Sequence, residues 1–385
     1  MKRWRRFCSV FLILVGYGAG SWAAEFAPVD SSEAEIRAIM ELASEDQQLL
    51  EKSGILYRNE VLESYLNLVA ARLDTNAASP DGGFRVKMIK DPHLNAFTYP
   101  DGTCYIQTGI LARLENEAEL AALLAHELAH FTNSHAVNGI RRFHRRSGSD
   151  LSTQALNPER TVSRAQIRRR IECAWSGYHH EAEFEADREA LKFLIRAGYD
   201  PYAVLRLFGH LAEEMSRENL QEPLILGSHP RLKARIEKCN EFLATLNPEH
   251  RGARVKDGNF EGYIQDLLLE NINLDIQAGR FTQALQASTR YLSVRSDDAR
   301  GHYLLGEIYR QQDRGGNEIK RAESCYKQAI DLDDEYAEPH RALGMLYYKT
   351  GLSQQARPYL EASLALAPEA PENAYIRNYL SRIQP

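Results

Sequence analysis

Between Leu124 and His130 the chain reads Leu124-Ala125-His126-Glu127-Leu128-Ala129-His130. Four residues make slightly more than one helical turn, so on a helix both imidazoles project from one face and can grip a single cation. Glu127 stands beside them, placed to take a proton from water that the cation activates. Such a pentapeptide also arises by chance, and two histidines on a core helix are the bland alternative. A third ligand separates the two readings, because a catalytic zinc keeps three protein ligands and one open position. Further along, Glu181-Ala182-Glu183-Phe184-Glu185-Ala186-Asp187 offers Glu183 and Asp187, again four apart. One carboxylate can reach the cation while the other holds the free ring nitrogen of a liganding histidine. Acids on a helix usually form a solvated face. Phe184 and the small Ala182 and Ala186 argue here for partial burial, and buried carboxylates need partners.

Several elements must bring these groups together. Asn116 is a good N-cap, Glu119 follows three residues later, and Leu120, Leu123 and Leu124 supply an apolar face, so the histidines sit on a capped helix. Helical pattern covers Glu181 to Ala197, Pro201 to Ser216 and the stretch after Pro230. Ahead of the histidines, the pattern from Ser31 to about Asp74 is helical, with Ile36, Ile39, Met40 and Ala43 and again Val61, Leu62, Tyr65, Leu66, Val69 and Leu73 at three- and four-residue spacing. Phe84, Val86 and Met88 alternate with Arg85 and Lys87 as a half-buried strand does. Asn95 to Tyr99, Pro100-Asp101-Gly102 and Thr103 to Gln107 read as a hairpin. Its second strand is expected to expose an edge on which an extended segment can add. Arg141, Arg142, Arg145, Arg146 and Arg168 to Arg170 lie in an Arg- and Ser-rich stretch, Gly139 to Arg170, expected as a solvated loop, with contact to anionic lipid or an acidic partner as the minority reading.

Past a linker at Gly252 to Asn259 the chain repeats itself. Gly344, Tyr347, Gly351, Ala356, Leu360, Ser363 and Pro368 fit tetratricopeptide spacing; Gly306, Tyr309, Ala322, Tyr326 and Ala329 fit it one unit earlier, and Gly279 and Ala284 earlier still. Small residues recur where paired helices approach closely, and stacking buries faces that no single unit can bury.

Lys2, Arg3, Arg5 and Arg6 precede an apolar run, Phe7 to Tyr17, and the small residues Ser21 and Ala23, which is the layout of an export signal cut after Ala23. The 385 residues carry 44% hydrophobic and 26% charged residues, ordinary for a folded chain. A formal charge of -6 argues against nucleic acid as partner. No later run is long and apolar enough to span a membrane, so at most peripheral membrane contact is expected. Cys104, Cys173, Cys239 and Cys325 are widely spaced; an oxidising compartment permits disulfides among them, but spacing does not choose the pairing.

The His126-to-His130 string followed by Glu183-Phe184-Glu185-Ala186-Asp187 resembles the HtpX and CaaX-prenyl-protease family of zinc metallopeptidases. Asn95-Ala96-Phe97 and Thr108-Gly109-Ile110-Leu111 match that family's edge-strand region. The export signal and carboxy-terminal repeats resemble its soluble periplasmic branch. The resemblance implies an α+β chain: a signal peptide at 1–23, a mostly helical zincin-type metallopeptidase domain with a small sheet at 24–255, and an all-α tetratricopeptide-repeat domain at 256–385. It implies one zinc ion per chain on His126, His130 and Glu183, with Glu127 as general base and Asp187 supporting a ligand. It further implies a periplasmic endopeptidase for unfolded or misassembled, outer-membrane proteins, with an outer-membrane assembly machine as partner of the repeats. Ser228-His229-Pro230 also matches, and implies that His229 can occupy the open zinc position and silence the enzyme, with Arg235 steadying a carboxylate or the reacting carbonyl. Two features depart from the family: His179-His180 replaces Ser-Arg before the glutamate motif, and Pro100-Asp101-Gly102 replaces Pro-Gly-Gly. The rival reading is a periplasmic chaperone or adaptor in which the repeats do the work and the zinc site is largely silent.

Overall fold

The computed structural model describes residues 33–74, 83–147, 180–217, 232–246, 259–313 and 317–383. The export signal, Pro80 to Gly82, Cys173, His179, Ser228-His229-Pro230 and the linker at 252–258 lie outside those residues.

The helical pattern from Ser31 to Asp74 is divided into α1 (Glu33–Lys52) and α2 (Glu60–Leu73) by a two-residue strand, β1 (Leu56–Tyr57). The chain breaks because Gly54 takes φ 74°, a left-handed backbone that ends α1 at low steric cost. Asn59 then caps α2, its side chain accepting from the Leu62 amide at 3.0 Å. Leu62, Tyr65, Leu66, Val69 and Leu73, three and four apart, bury one face of α2.

The sheet has the order β1, β2 (Arg85–Ile89), β4 (Thr103–Gln107), β3 (Ala96–Thr98). β2 alternates as expected, with Val86 and Met88 buried and Arg85 exposed. β3 and β4 form the expected hairpin, pairing Ala96 with Ile106 and Thr98 with Cys104. One expectation is corrected: β4 exposes no edge, because β2 pairs with it in parallel along its other side. Alternation of apolar residues cannot reveal which strand takes the middle of a sheet; here β1 and β3 are the edge strands.

α3 (Thr108–Arg113) leads into α4 (Glu117–Thr132), which carries the two histidines and whose residues from Glu117 to His130 are all buried. A helix buried on every side belongs at the centre of its domain, and its buried polar side chains need partners there. Asn116 caps it as expected, accepting from the Glu119 amide at 3.1 Å, while Glu119 reaches back to the Glu115 amide at 2.8 Å. Buried Glu117 accepts from Tyr65, Tyr199 and Arg72 at 2.7, 2.7 and 2.8 Å, which ties α2 and the start of α4 together.

Next along the chain come α5 (His135–Ser147), α6 (His180–Ala197), α7 (Ala203–Arg217) and α8 (Leu232–Ala244). α5 corrects the expectation of loop from Gly139 onward: the chain stays helical to Ser147, and Arg141 is buried. The part of that stretch from 148 to 170 lies outside the described residues. Cys104 and Cys239 are buried thiols and Cys325 is half-buried; among the described residues these three form no disulfide.

The repeat region is all helix: α9 (Phe260–Ala278), α10 (Phe281–Val294), α11 (Ala299–Gln312), α12 (Asn317–Leu332), α13 (Ala337–Lys349), α14 (Ser353–Leu366) and α15 (Asn373–Arg382). Small residues sit where helices touch. A Cβ on Gly306 would stand 2.5 Å from the buried Tyr326 ring, and one on Gly344 2.7 Å from Leu360. The later helices bury a cluster of their own around Tyr326, Leu343, Tyr347 and Leu360, but the first ones do not. Phe260, Ile264, Leu267, Ile272, Ala284 and Tyr291 share one apolar cluster with α2, α4 and the sheet. Tyr263 stacks on Tyr65 with ring centroids 4.0 Å apart, and Arg113 pairs with Asp275 at 3.2 Å. No helix among the described residues is long and apolar enough to cross a membrane.

Candidate metal centre

α4 and α6 pack side by side and bring the two four-residue pairs together. From α4, the rings of His126 and His130 meet edge to face with centroids 4.6 Å apart. Their Nε2 atoms are 3.1 Å apart, and Glu183 from α6 places Oε2 3.6 Å from His126 Nε2 and Oε1 3.4 Å from His130 Nε2. A tetrahedral zinc with bonds of about 2.0–2.1 Å separates its ligand atoms by about 3.3–3.4 Å. The three separations, the two from Glu183 through different oxygens, lie near that value. All three side chains are buried, and they are a group able to hold a metal ion. Two neutral imidazoles and one carboxylate are donors suited to zinc.

Surrounding groups fix the orientation of the donors. Asp187, one turn beyond Glu183, stands 3.0 Å from His126 Nδ1. Arg235 from α8 donates to Asp187 through Nε at 2.8 Å and Nη2 at 2.7 Å, and its Nη1 lies 3.1 Å from Glu183 Oε2. The guanidinium also lies over the Phe208 ring, 4.7 Å from its centroid. Burial favours the neutral acid of Asp187, yet Arg235 and His126 outweigh it and hold the carboxyl below its ordinary range. Burial and Arg235 both press His126 toward its neutral form; hydrogen bonds to Asp187 and Glu183 outweigh them and raise it to about 9.

Glu127 is 2% exposed and accepts from Thr98 Oγ1 at 2.9 Å, so the edge strand β3 anchors it. Beside Glu127 and His126 is a cavity of about 30 Å³ lined by Asn95, Ala96, Leu123 and Phe208, room for a water molecule. The structure thus brings together His126, Glu127, His130, Glu183 and Asp187, singled out by their spacing, and Arg235, singled out by the family resemblance, while His229 lies outside the described residues. Sequence reasoning missed Thr98 and His135. Thr98 reaches Glu127 only through the packing of β3 on α4. His135 sits one short turn past the end of α4, and a histidine closely following such a helix was the available signal.

Residues 58–242, which contain the whole cluster, match the profile of Peptidase family M48, and residues 342–369 match a tetratricopeptide repeat. The chain is similar to a beta-barrel assembly-enhancing protease of Yersinia pestis, 26% identical over 293 residues that cover 69% of this chain and 58% of the relative. Its counterpart in Escherichia coli K12 is 27% identical over 211 residues, 52% of this chain and 42% of that protein. The mitochondrial metalloendopeptidase OMA1 of Schizosaccharomyces pombe is 29% identical over 182 residues, 46% of this chain and 52% of its own. The chain spans about half the length of the curated relatives it matches.

Proposed function

From an M48-type domain joined to tetratricopeptide repeats, we propose that this chain is an exported zinc-dependent endopeptidase. Its substrates are misfolded or incompletely assembled proteins, of the outer membrane in the first instance, and its compartment is the periplasm. The observation that carries the proposal is the triangle of His126 Nε2, His130 Nε2 and Glu183, with sides fitted to one tetrahedral cation and Glu127 on its flank. A zinc ion held there supplies Lewis acidity toward a peptide carbonyl and toward water.

The rest is the work of the chain's own residues. Glu127 takes a proton from water on one carboxylate oxygen and delivers it to the leaving amine, while the Thr98 hydroxyl fixes the other oxygen. Asp187 and Arg235 keep His126 facing the centre. β3, the edge strand that touches Glu127, is where an extended substrate can add. That mode selects unfolded segments over compact ones and reads main chain more than side chains. The repeats bind protein partners, and the names of the relatives support a beta-barrel assembly machine as the candidate. A groove of about 540 Å³ between α11, α13 and α15, lined by Tyr303, Arg310, Arg341, Met345 and Tyr379, is a surface of suitable size. His229 is the proposed occupant of the open metal position.

The test is cleavage of an unfolded casein-type substrate by the protein with its signal removed. Glu127→Gln should lower kcat by about 10²–10⁴-fold while metal content stays at one ion per chain, and His229→Ala should raise proteolysis. If Glu127→Gln cleaves like the wild type, the peptidase reading fails. If the variant is inactive yet supports full cellular function, the repeats act as an adaptor and cleavage is incidental.

A further inference from the structure

The two histidines of the centre differ in what holds their second nitrogen. His126 Nδ1 faces Asp187 directly, and that carboxylate is locked in a buried pair with Arg235. His130 Nδ1 instead lies 2.9 Å from Nδ1 of another histidine, His135, and His135 Nε2 lies 3.3 Å from Oε2 of Glu185. His135 is 5% exposed, whereas the Glu185 side chain is 49% exposed.

The direction of this chain follows from proton inventory. With His130 Nε2 kept unprotonated as a metal donor, its proton is on Nδ1 and must be donated. His135 can accept it only through an unprotonated Nδ1, which puts its own proton on Nε2, aimed at the Glu185 carboxylate. Along this chain each donor then meets an acceptor, His130 Nδ1–H to His135 Nδ1 and His135 Nε2–H to Glu185. The backbone supports the same arrangement. Ser134 takes φ 53°, an uncommon left-handed conformation for a residue with a side chain, and this turn ends α4 and starts α5 with His135 folded back against His130. The rings of His130 and His135 meet edge to face with centroids 4.9 Å apart.

We infer that His135 and Glu185 form a positioning relay for the metal centre, in which His135 fixes the tautomer and ring orientation of His130 and Glu185 anchors His135 from the surface. The inference rests on the reading of His126, His130 and Glu183 as metal ligands. It gives the middle acid of the Glu183–Asp187 segment a role that the ligand set leaves unassigned. One ligand is thereby braced by a buried ion pair and the other by a relay ending at water. Loss of an outer hydrogen bond to a liganding histidine weakens metal binding by 10–100-fold.

The experiment is zinc affinity by chelator competition on the full chain lacking its signal, with the visible spectrum of the cobalt(II)-loaded protein recorded in parallel. His135→Ala should bind zinc about 10–100-fold more weakly and shift the cobalt bands. His135→Asn, whose amide oxygen can still accept from His130 Nδ1, should recover most of the affinity. Glu185→Ala, a change at a half-exposed position that folding should tolerate, should cost several-fold. Wild-type affinity and an unshifted cobalt spectrum in His135→Ala would overturn the relay while leaving the metal centre standing. Should His135→Ala fail to fold, unchanged affinity in Glu185→Ala would overturn it equally. A wild type that takes up no zinc would remove the metal-centre reading, and the relay with it.

Discussion

Arg235 shows how much of the site depends on one buried charge. It is 3% exposed, pairs with both oxygens of Asp187 and touches Glu183. Removing one member of a buried ion pair leaves its partner charged in a medium that solvates it poorly, at a cost of about 3–5 kcal/mol. Arg235→Met should therefore lower unfolding free energy by about that amount in urea titration. A cost under about 1 kcal/mol, the worth of an exposed pair, would contradict the role given to it. The pairings His126 with His130 and Glu183 with Asp187 were legible in the chain because a helix returns to the same face after four residues. Thr98 and His135 were not, since neither is related to its partner by the period of one element. Thr98 depends on where β3 lands, and His135 depends on the backbone turn at Ser134.

Among the elements, the start of α11 carries a measurable pH dependence. Asp298 caps that helix, accepting from the Arg300 amide at 2.9 Å, and also accepts from the Tyr291 hydroxyl and the Arg300 guanidinium. Burial favours its neutral form, but these donors outweigh burial and bring the carboxyl from 3.8 down to about 2. A carboxyl whose pKa falls on folding stabilises the fold above its unfolded value, and the contribution disappears as pH drops through the folded value. Asp298→Asn should thus be less stable than the wild type at pH 6. The difference should narrow between about pH 4 and pH 2, read as denaturation midpoints across that range. A difference independent of pH would contradict the assignment. Element types followed the periodicities, including the cap at Asn116 and the hairpin through Pro100 to Gly102. Sheet order did not, because alternation marks a buried face but carries no information on which neighbour fills each edge. That is why β4, expected at the rim, lies inside.

For the whole molecule, the linker in the sequence does not mark a break in the core. Phe260, Ile264 and Leu267 of α9 are fully or nearly fully buried in the cluster built on α2 and α4, and Tyr263 covers Tyr65. Each large apolar side chain withdrawn from water contributes about 1.5–3 kcal/mol. A fragment ending at residue 255 should accordingly lose several kcal/mol against the full chain, or fail to fold. Equal urea midpoints for the two would show the repeats to be independent of the domain that holds the site. The same continuity offers a path by which partner binding at the repeats can bear on the site, since Arg280 of the first repeat pairs with Glu214 near the end of α7. The proposed activity presupposes a cation between α4 and α6. Anomalous diffraction at the zinc absorption edge, on crystals of the protein purified without added metal, tests that most directly. The account predicts one peak per chain within about 2.0–2.2 Å of His126 Nε2, His130 Nε2 and a Glu183 oxygen. No peak, or a peak bound by other residues, would contradict it.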